Sequence, residues 1–349
     1  MLMETAKQEK QGQKPVSPVP LMEIATGFMR SKTLFAAVEL ELFTRISGTG
    51  ADVADLGRLL SLDPRPAEML LTACAALGLL VKRGARFYNS PLAEEYLVKG
   101  KPQYFGGRAM SLDRATYPAW RRLTEALKTN RAQEAPDQST WTDALAANPE
   151  RQRMFIESMH SRAVPEAPAI ANAVDFSKFN QLLDVGGGSG AYCIELARRF
   201  PSLKVGLFDL PSALAIALEK IAEAGLTDRI STYRGDFFKD ELPKGSDVLL
   251  LAHVLHDWGP DKDRLILGRC FAALPSGGTL ILREAMMNDD KTGPLTAALM
   301  SLQMLNATEG RNYSWAEYTE WMEQAGFREI RRVELKTTGG SGLLIGRRP

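Results

Sequence analysis

The chain reads as an α/β protein, with a doubly wound, mostly parallel sheet in its second half behind an all-helical N-terminal part that ends in a small hairpin. Three observations predict this. From Gln181 onward, short apolar runs alternate with helical stretches, the pattern of β-α units that pair in parallel. The run ending at Val185 passes into Gly186-Gly187-Gly188-Ser189-Gly190 and then into an apolar helical repeat at Tyr192, Cys193, Leu196, Ala197 and Phe200. That is strand, glycine turn, helix. The N-terminal third has helical periodicity in short segments punctuated by proline and glycine.

Composition sets the bounds. With 349 residues, 45% hydrophobic and 24% charged, the chain has the make-up of an ordinary globular protein, long enough for one large domain or two modest ones. A formal net charge of +1 implies neither a nucleic-acid nor an anionic-membrane partner. Met1 to Pro20, rich in Lys, Gln and Pro, reads as a disordered tail without the apolar core of a signal peptide. The longest apolar stretch, Met69 to Val81, falls short of the ~20 residues that span a bilayer. Cys74, Cys193 and Cys270 lie far apart and read as small core residues of a protein in a reducing compartment, the cytoplasm. With three histidines and no C-x-x-C pair, no metal site is expected.

Residues 21–105 form the first predicted domain. Leu21 to Leu42 is a long amphipathic stretch carrying Phe28, Met29, Leu34, Phe35, Val38 and Leu42; Ala54 to Leu60 and Ala67 to Leu80 follow, parted by Asp63-Pro64-Arg65-Pro66. Leu80 to Tyr88 reads as two strands around Gly84. This order is winged-helix-like, and a winged-helix regulator that binds a metabolite without turning it over is a rival reading. Between Asp52 and Glu95, however, five Lys or Arg face six Asp or Glu, which leaves no phosphate-neutralising surface. The apolar helix faces are instead expected to pack against a second copy, making a homodimer.

Residues 106–170 read as connecting helices, with Trp120, Leu123 and Leu127 on one face and Met154, Phe155 and Met159 on another. Residues 171–349 hold the sheet, with strands expected at 182–185, 204–208, 230–233, 247–252, 279–283, 328–335 and 341–346. Ligands of such sheets sit beyond the carboxyl ends of the strands. Asp184, Asp209, Asp236, His253, His256 and Glu284 all fall there.

The glycine run is compatible with two kinds of ligand. Gly186, Gly188 and Ala191 satisfy the dinucleotide pattern G-x-G-x-x-G/A. A pyrophosphate, though, has no use for Asp184 two residues before Gly186, whereas a cation with a free amino group does. Asp209 ends the next apolar run, 23 residues after Gly186, where a carboxylate binds ribose hydroxyls. Gly235-Asp236-Phe237-Phe238 brings a further acid and an aromatic suited to an adenine. Together these point to S-adenosylmethionine, against a nicotinamide dinucleotide or a tight turn with no ligand.

His256, in His253-Val254-Leu255-His256-Asp257-Trp258, follows a strand and can take a proton near neutral pH. A phenol with a pKa near about 10 needs such a base to become a nucleophile, and methyl transfer from a sulfonium needs no metal. Glu284 can accept a hydrogen bond from the other ring nitrogen and hold the imidazole. The competing structural reading makes His256 a helix cap and Glu284 a solvated strand end.

The chain resembles the small-molecule O-methyltransferases of the plant caffeate and animal acetylserotonin type and their bacterial relatives in antibiotic and pigment biosynthesis. The resemblance covers nearly the whole chain and is most specific at Asp184–Gly190, Phe208-Asp209-Leu210-Pro211, Gly235–Leu242, Val254–Trp258 and Met304–Gly310. The acetylserotonin branch is nearest, through Gly235–Asp240 and Thr308-Glu309-Gly310. The resemblance implies a class I methyltransferase domain behind an N-terminal winged-helix-like dimerisation domain, and an intertwined dimer. It implies His256 as general base, Glu284 bracketing the imidazole, Asp257 at the substrate, and Asp209, Leu210 and Gly235–Phe237 on the adenosine. His253 stands beside the cofactor, where the family often has Arg or Lys. Phe155, Met159 and Gln303 fall where the family lines its acceptor pocket. The expected acceptor is a hydroxyl of an aromatic or polyketide-like molecule; N-methylation of a heterocycle and a non-methylating reaction are the alternatives on this fold. A second departure is Gly310-Arg311-Asn312-Tyr313-Ser314, where the family has Gly-x-Glu-Arg-Thr: Asn312 replaces a second carboxylate, and Glu309 is the candidate substitute.

Overall fold

The computed structural model describes residues 16–134, 147–335, 337 and 341–349. They divide into two compact units, up to Val98 and from Lys99 onward.

The first unit comprises α1 (Val19–Glu39), α2 (Leu42–Arg45), α3 (Val53–Leu60), α4 (Pro64–Ala76), β1 (Leu80–Arg83), β2 (Arg86–Asn89) and α5 (Pro91–Tyr96). Most of the predicted tail lies outside the described residues, but its last two, Val19 and Pro20, already belong to α1. Proline is tolerated in a first helical turn because its missing N–H would be unpaired there anyway. The stretch read as one helix to Leu42 is two, since Glu41 turns the chain in the left-handed region at φ 58°. Likewise α4 stops at Ala76, where Gly78 at φ 74° redirects the backbone, and Leu80 becomes the first residue of the hairpin instead of the last of the helix.

The second unit opens with α6 (Gly106–Ser111), a π-helical turn (Leu112–Thr116), α7 (Tyr117–Trp120), α8 (Leu123–Thr129) and the long α9 (Pro149–Ala173). The sheet follows: β3 (Gln181–Val185), α10 (Ala191–Arg199), β4 (Lys204–Asp209), α11 (Pro211–Glu223), β5 (Ile230–Arg234), β6 (Val248–Ala252), α12 (Pro260–Ala273), β7 (Thr279–Ala285), α13 (Leu295–Ala307), α14 (Trp315–Gln324), β8 (Arg328–Glu334) and β9 (Ser341–Arg347). Its seven strands run in the order β5-β4-β3-β6-β7-β9-β8; the first five are parallel, and β9 is antiparallel to both its neighbours.

The sheet is covered on both faces, so the central strands are apolar throughout instead of alternating. On one face Leu182, Val205, Leu207, Leu250 and Ile281 pack with Ala167, Ile170, Cys193 and Leu196; on the other Leu183, Leu249, Leu251, Leu280 and Leu282 pack with Ile266, Cys270, Tyr318 and Met322. The chain leaves β3 toward β4 and returns on β3's other side as β6. The loops after β3 and β6 therefore diverge and open a crevice at the carboxyl edge. All three cysteines are free and buried. No helix among the described residues is long and apolar enough to cross a membrane.

Candidate active site

The crevice is a cavity of about 340 Å³, within the size range of small-ligand sites. One end is built from backbone. Gly186, Gly188 and Gly190 take φ of 70°, 56° and 76°, a region that side-chain-bearing residues seldom enter, and they carry the chain from β3 to the first turn of α10. Gly186 N–H donates to the Phe208 carbonyl at 2.8 Å, which fixes the turn against β4. Asp209 ends β4, and its carboxylate accepts from Gly188 N at 2.7 Å and from Leu210 N at 2.7 Å. Gly235 N–H donates to the Asp209 carbonyl at 3.1 Å. A Cβ at Gly235 would stand 2.5 Å from the Phe208 ring, so no larger residue fits there without displacing it. Gly186, Gly188, Asp209, Leu210, Gly235, Asp236 and Phe237 all line the cavity.

Asp184 is the exception among the residues expected at this end. It is fully buried beneath the loop and does not line the cavity. One oxygen accepts from Cys193 Sγ at 3.4 Å and the other has no partner among the described residues. Burial pushes its carboxyl up to about 7. The Asp236 carboxylate is occupied locally, by Phe238 N at 2.8 Å and Lys239 Nζ at 3.0 Å. Phe237, Phe238 and Trp258 form an edge-to-face cluster, which holds the Phe237 ring beside Gly186.

The other end is built from side chains. His256 lies in a short 3₁₀ turn, Leu255–Asp257, after β6. Its Nδ1 lies 2.6 Å from Glu284 Oε2. Glu284 Oε1 accepts from Leu255 N at 3.0 Å and His256 N at 3.4 Å. Burial alone would raise the Glu284 carboxyl, but the His256 and His253 imidazoles outweigh it and hold the acid below its usual range. An ionised Glu284 can only accept, so Nδ1 carries the proton of the neutral ring and that ring's Nε2 keeps its lone pair. Burial lowers the His256 pKa, and Glu284 and then Asp257 more than reverse this, for a net rise. Nε2 lies 3.7 Å from Asp257 Oδ1. Burial lifts Asp257 to about 6 against the pull of His256.

His253 adopts a left-handed backbone, φ 56°. Its ring stands between two acids, Nδ1 at 3.5 Å from Glu284 and Nε2 at 3.7 Å from Glu166. Burial, with the charges of Arg162 and Arg283, holds it well below its ordinary pKa and so neutral. The sequence shows no metal-ligand cluster, yet the fold brings ligand atoms of His253, His256 and Glu284 within 4.8 Å of one another. Two of them already share a hydrogen-bonded proton, so they do not present converging lone pairs.

Phe155, Met159 and Gln303 line the same cavity, joined by Met154, Met300 and Met304. Gln303 Nε2 donates to Glu134 at 2.8 Å and its carbonyl accepts from Trp120. Sequence reasoning missed Arg108, Arg151, Arg162 and Glu134, all on the wall, and Glu166, which pairs with Arg283. For Arg162 and Glu166 a signal existed: they continue the helical spacing of Phe155 and Met159. Also missed was His160, whose Nδ1 lies 2.8 Å from Ser189 Oγ and ties α9 to the glycine loop. Glu309 does not take up the missing carboxylate's role, because it pairs with Lys262 at 2.8 Å. Asn312 is buried and donates its amide to the Ala297 carbonyl at 2.9 Å.

Residues 120–328 match the O-methyltransferase domain family, and residues 22–99 the O-methyltransferase dimerisation domain. The chain belongs to this family of S-adenosylmethionine-dependent O-methyltransferases. It is 43% identical to a 3-hydroxy-5-methyl-1-naphthoate 3-O-methyltransferase of Streptomyces sahachiroi, covering 94% of this chain and 95% of that one. It is 36% identical to the acetylserotonin O-methyltransferase of Bos taurus, covering 92% and 94%. The acetylserotonin branch is thus not the nearest, as its motifs suggested; the bacterial enzyme shares more of the residues. The crystal structure of human N-acetylserotonin methyltransferase with S-adenosylmethionine superposes with a TM-score of 0.86 at 29% identity, covering 97% of this chain and 99% of that one.

The buried Glu284–His256 pair gives this methyltransferase a testable titration. Glu284→Gln removes the charge that favours the imidazolium, so the His256 ring should titrate at lower pH than in the native protein. With three histidines in the chain, ring-proton NMR follows it directly; an unshifted His256 would disconnect the pair.

Proposed function

We propose that the enzyme methylates a hydroxyl of an aromatic, polyketide-like small molecule, with His256 as general base and the glycine-loop end of the cavity holding the cofactor. The observation that carries this reading is the His256 imidazole: Nδ1 lies 2.6 Å from Glu284, which leaves Nε2 of the neutral ring as the proton acceptor, and the residue lines the same cavity as Gly186, Gly188 and Asp209. A naphthoate and acetylserotonin, the molecules in the relatives' names, are both aromatic.

The backbone end fits S-adenosylmethionine. No side chain projects from Gly186 or Gly188, and a Cβ at Gly186 would stand 2.9 Å from Val254 and 3.5 Å from Phe237, so the space beside that ring stays free for a flat base. Asp209 is held by two N–H donors and has lone pairs left for both ribose hydroxyls. Leu210, Gly235, Asp236 and Phe237 would surround the adenine, with His253 beside the methionyl part. Asp184 would stabilise the cationic end from beneath the loop. The cofactor supplies a methyl on a sulfonium that is neutral once the methyl has gone.

What the chain must do is position the acceptor and take its proton. Phe155, Met159 and Gln303 would hold the aromatic ring, with Asp257 at the hydroxyl. His256 Nε2 receives the hydroxyl proton, and Glu284 offsets the imidazolium through Nδ1–H. Because Glu284 raises the His256 pKa, the rate should climb with pH through that value and level off above it. A ring nitrogen as acceptor would have no need of this base.

The N-terminal unit supports a homodimer. Val19, Leu21, Met22, Ile24, Phe28 and Met29, all on α1, are half or more exposed in the single chain. The cytoplasmic placement rests on the three free, buried thiols.

Three measurements test these assignments. Asp209→Ala should weaken S-adenosylmethionine binding by about 1.5–3 kcal/mol, the range for hydrogen bonds to a charged group, read by calorimetry; unchanged affinity in a folded variant removes Asp209 from the site. His256→Ala should leave that affinity intact and slow turnover of a hydroxyarene by about 10²–10⁴-fold, and a variant as fast as the native enzyme ends the general-base assignment. Light scattering at micromolar concentration should give twice the chain mass of 38.4 kDa, with an interface of more than ~2,000 Å².

A further inference from the structure

The acceptor wall carries cationic groups that neither the proton transfer nor cofactor binding uses. Arg108 on α6 and Arg162 on α9 both line the cavity that holds His256. Among the described residues neither guanidinium is ion-paired with a carboxylate. Arg108 Nη1 donates to Ser158 Oγ at 3.0 Å, and Arg162 Nη2 reaches the neutral His253 ring at 3.4 Å.

The two charges feel one another. Burial, and then the charge of Arg162, lower the Arg108 pKa to about 10, against the opposing pull of Glu134 and Glu166. Those two acids have other commitments. Glu166 is bonded to Arg283. Glu134 accepts from Gln303 at 2.8 Å, and burial raises its pKa toward the neutral form. Arg162 also acts on His256 and Asp257, which places it toward the reacting end of the cavity.

A guanidinium has five donors in a planar fork that matches a carboxylate. Both residues are half-buried on the cavity wall without a carboxylate partner among the described residues, and a ligand that brings a carboxylate would supply one. We propose that Arg108, with Arg162, forms an anion subsite in the acceptor cavity, and that the acceptor is a hydroxyarene carrying a carboxylate. This deepens the hydroxyarene reading above and rests on it.

The test compares 1-naphthoate with 1-naphthamide, which share a ring system and differ in charge, by calorimetry on the full-length enzyme saturated with S-adenosylhomocysteine. The native enzyme should bind the carboxylate about 10- to 100-fold more tightly, the span of one or two charge-assisted hydrogen bonds. In Arg108→Met the preference should shrink to about threefold or less, and Arg108→Lys, which keeps the charge but not the fork, should fall between. S-adenosylhomocysteine affinity checks that each variant is folded; if Arg108→Met is not, Arg162→Gln takes its place. Equal affinity of the native enzyme for the two ligands, or a preference untouched by these substitutions, overturns the subsite. Turnover of 3-hydroxy-1-naphthoate and its methyl ester separates the two levels. Equal methylation of both overturns the anion subsite and leaves the hydroxyarene reading standing. Preferential carboxylate binding with no methylation of either supports the subsite and overturns the hydroxyarene reading.

Discussion

A buried carboxylate organises the His256 end of the cavity. Glu284 is wholly inaccessible to solvent, and an ionised group in that position is tolerated only when its lone pairs are met by donors. Three meet them: the backbone N–H groups of Leu255 and His256 on one oxygen and the His256 ring on the other. Hydrogen bonds to charge are each worth about 1.5–3 kcal/mol. The loop after β6 is therefore pinned to the end of β7, and the imidazole orientation is set before any ligand arrives.

The residue beside it organises the opposite wall. Consecutive residues of a strand face opposite sides of the sheet, so where Glu284 continues the row of Leu280 and Leu282, Arg283 continues that of Ile281. Arg283 is fully buried, lies 5.5 Å from the Tyr192 ring and bonds Glu166 on α9. Through that pair α9 is fixed to the sheet, and with it Phe155, Met159 and Arg162. Two adjacent side chains of one strand thus anchor both walls of the cavity. His253 stands where the two networks meet, its backbone N–H bonded to the Arg283 carbonyl at 2.9 Å and its ring between Glu284 and Glu166. Its left-handed backbone costs on the order of 1–2 kcal/mol, a strain that the surrounding contacts hold in place.

The two ends of the cavity follow different physical rules. At the glycine loop the wall is mostly backbone, and its N–H groups orient the Asp209 carboxylate against the end of the sheet. At the other end methionines, Phe155 and three arginines line the wall. Methionine adapts to the shape of its neighbours, while a guanidinium demands a partner of matching geometry. On the anion-subsite proposal, such a cavity would adapt to ring shape and select for charge.

The sequence by itself determined the alternation of strands and helices, the glycine loop with Asp209 behind it, and His256 and Glu284 at strand ends, because each is a local pattern: a period, a turn requirement, a residue type at a strand terminus. Its errors were local too. Apolar residues continue past Ala76, so the helical period runs on to Leu80 and does not register the turn at Gly78. Other features needed the tertiary structure. That Asp184 is sealed beneath the loop depends on Cys193 and on the packing of α10. That His253, His256 and Glu284 converge, or that Glu309 is drawn away by Lys262, depends on which strands are neighbours. Arg108 had no signal in the sequence at all, since an arginine in a short helix is ordinarily a solvated one; only the folded chain surrounds it with a cavity wall and a second arginine. Burial and partner choice are sums over residues distant in the chain, and no local pattern encodes them.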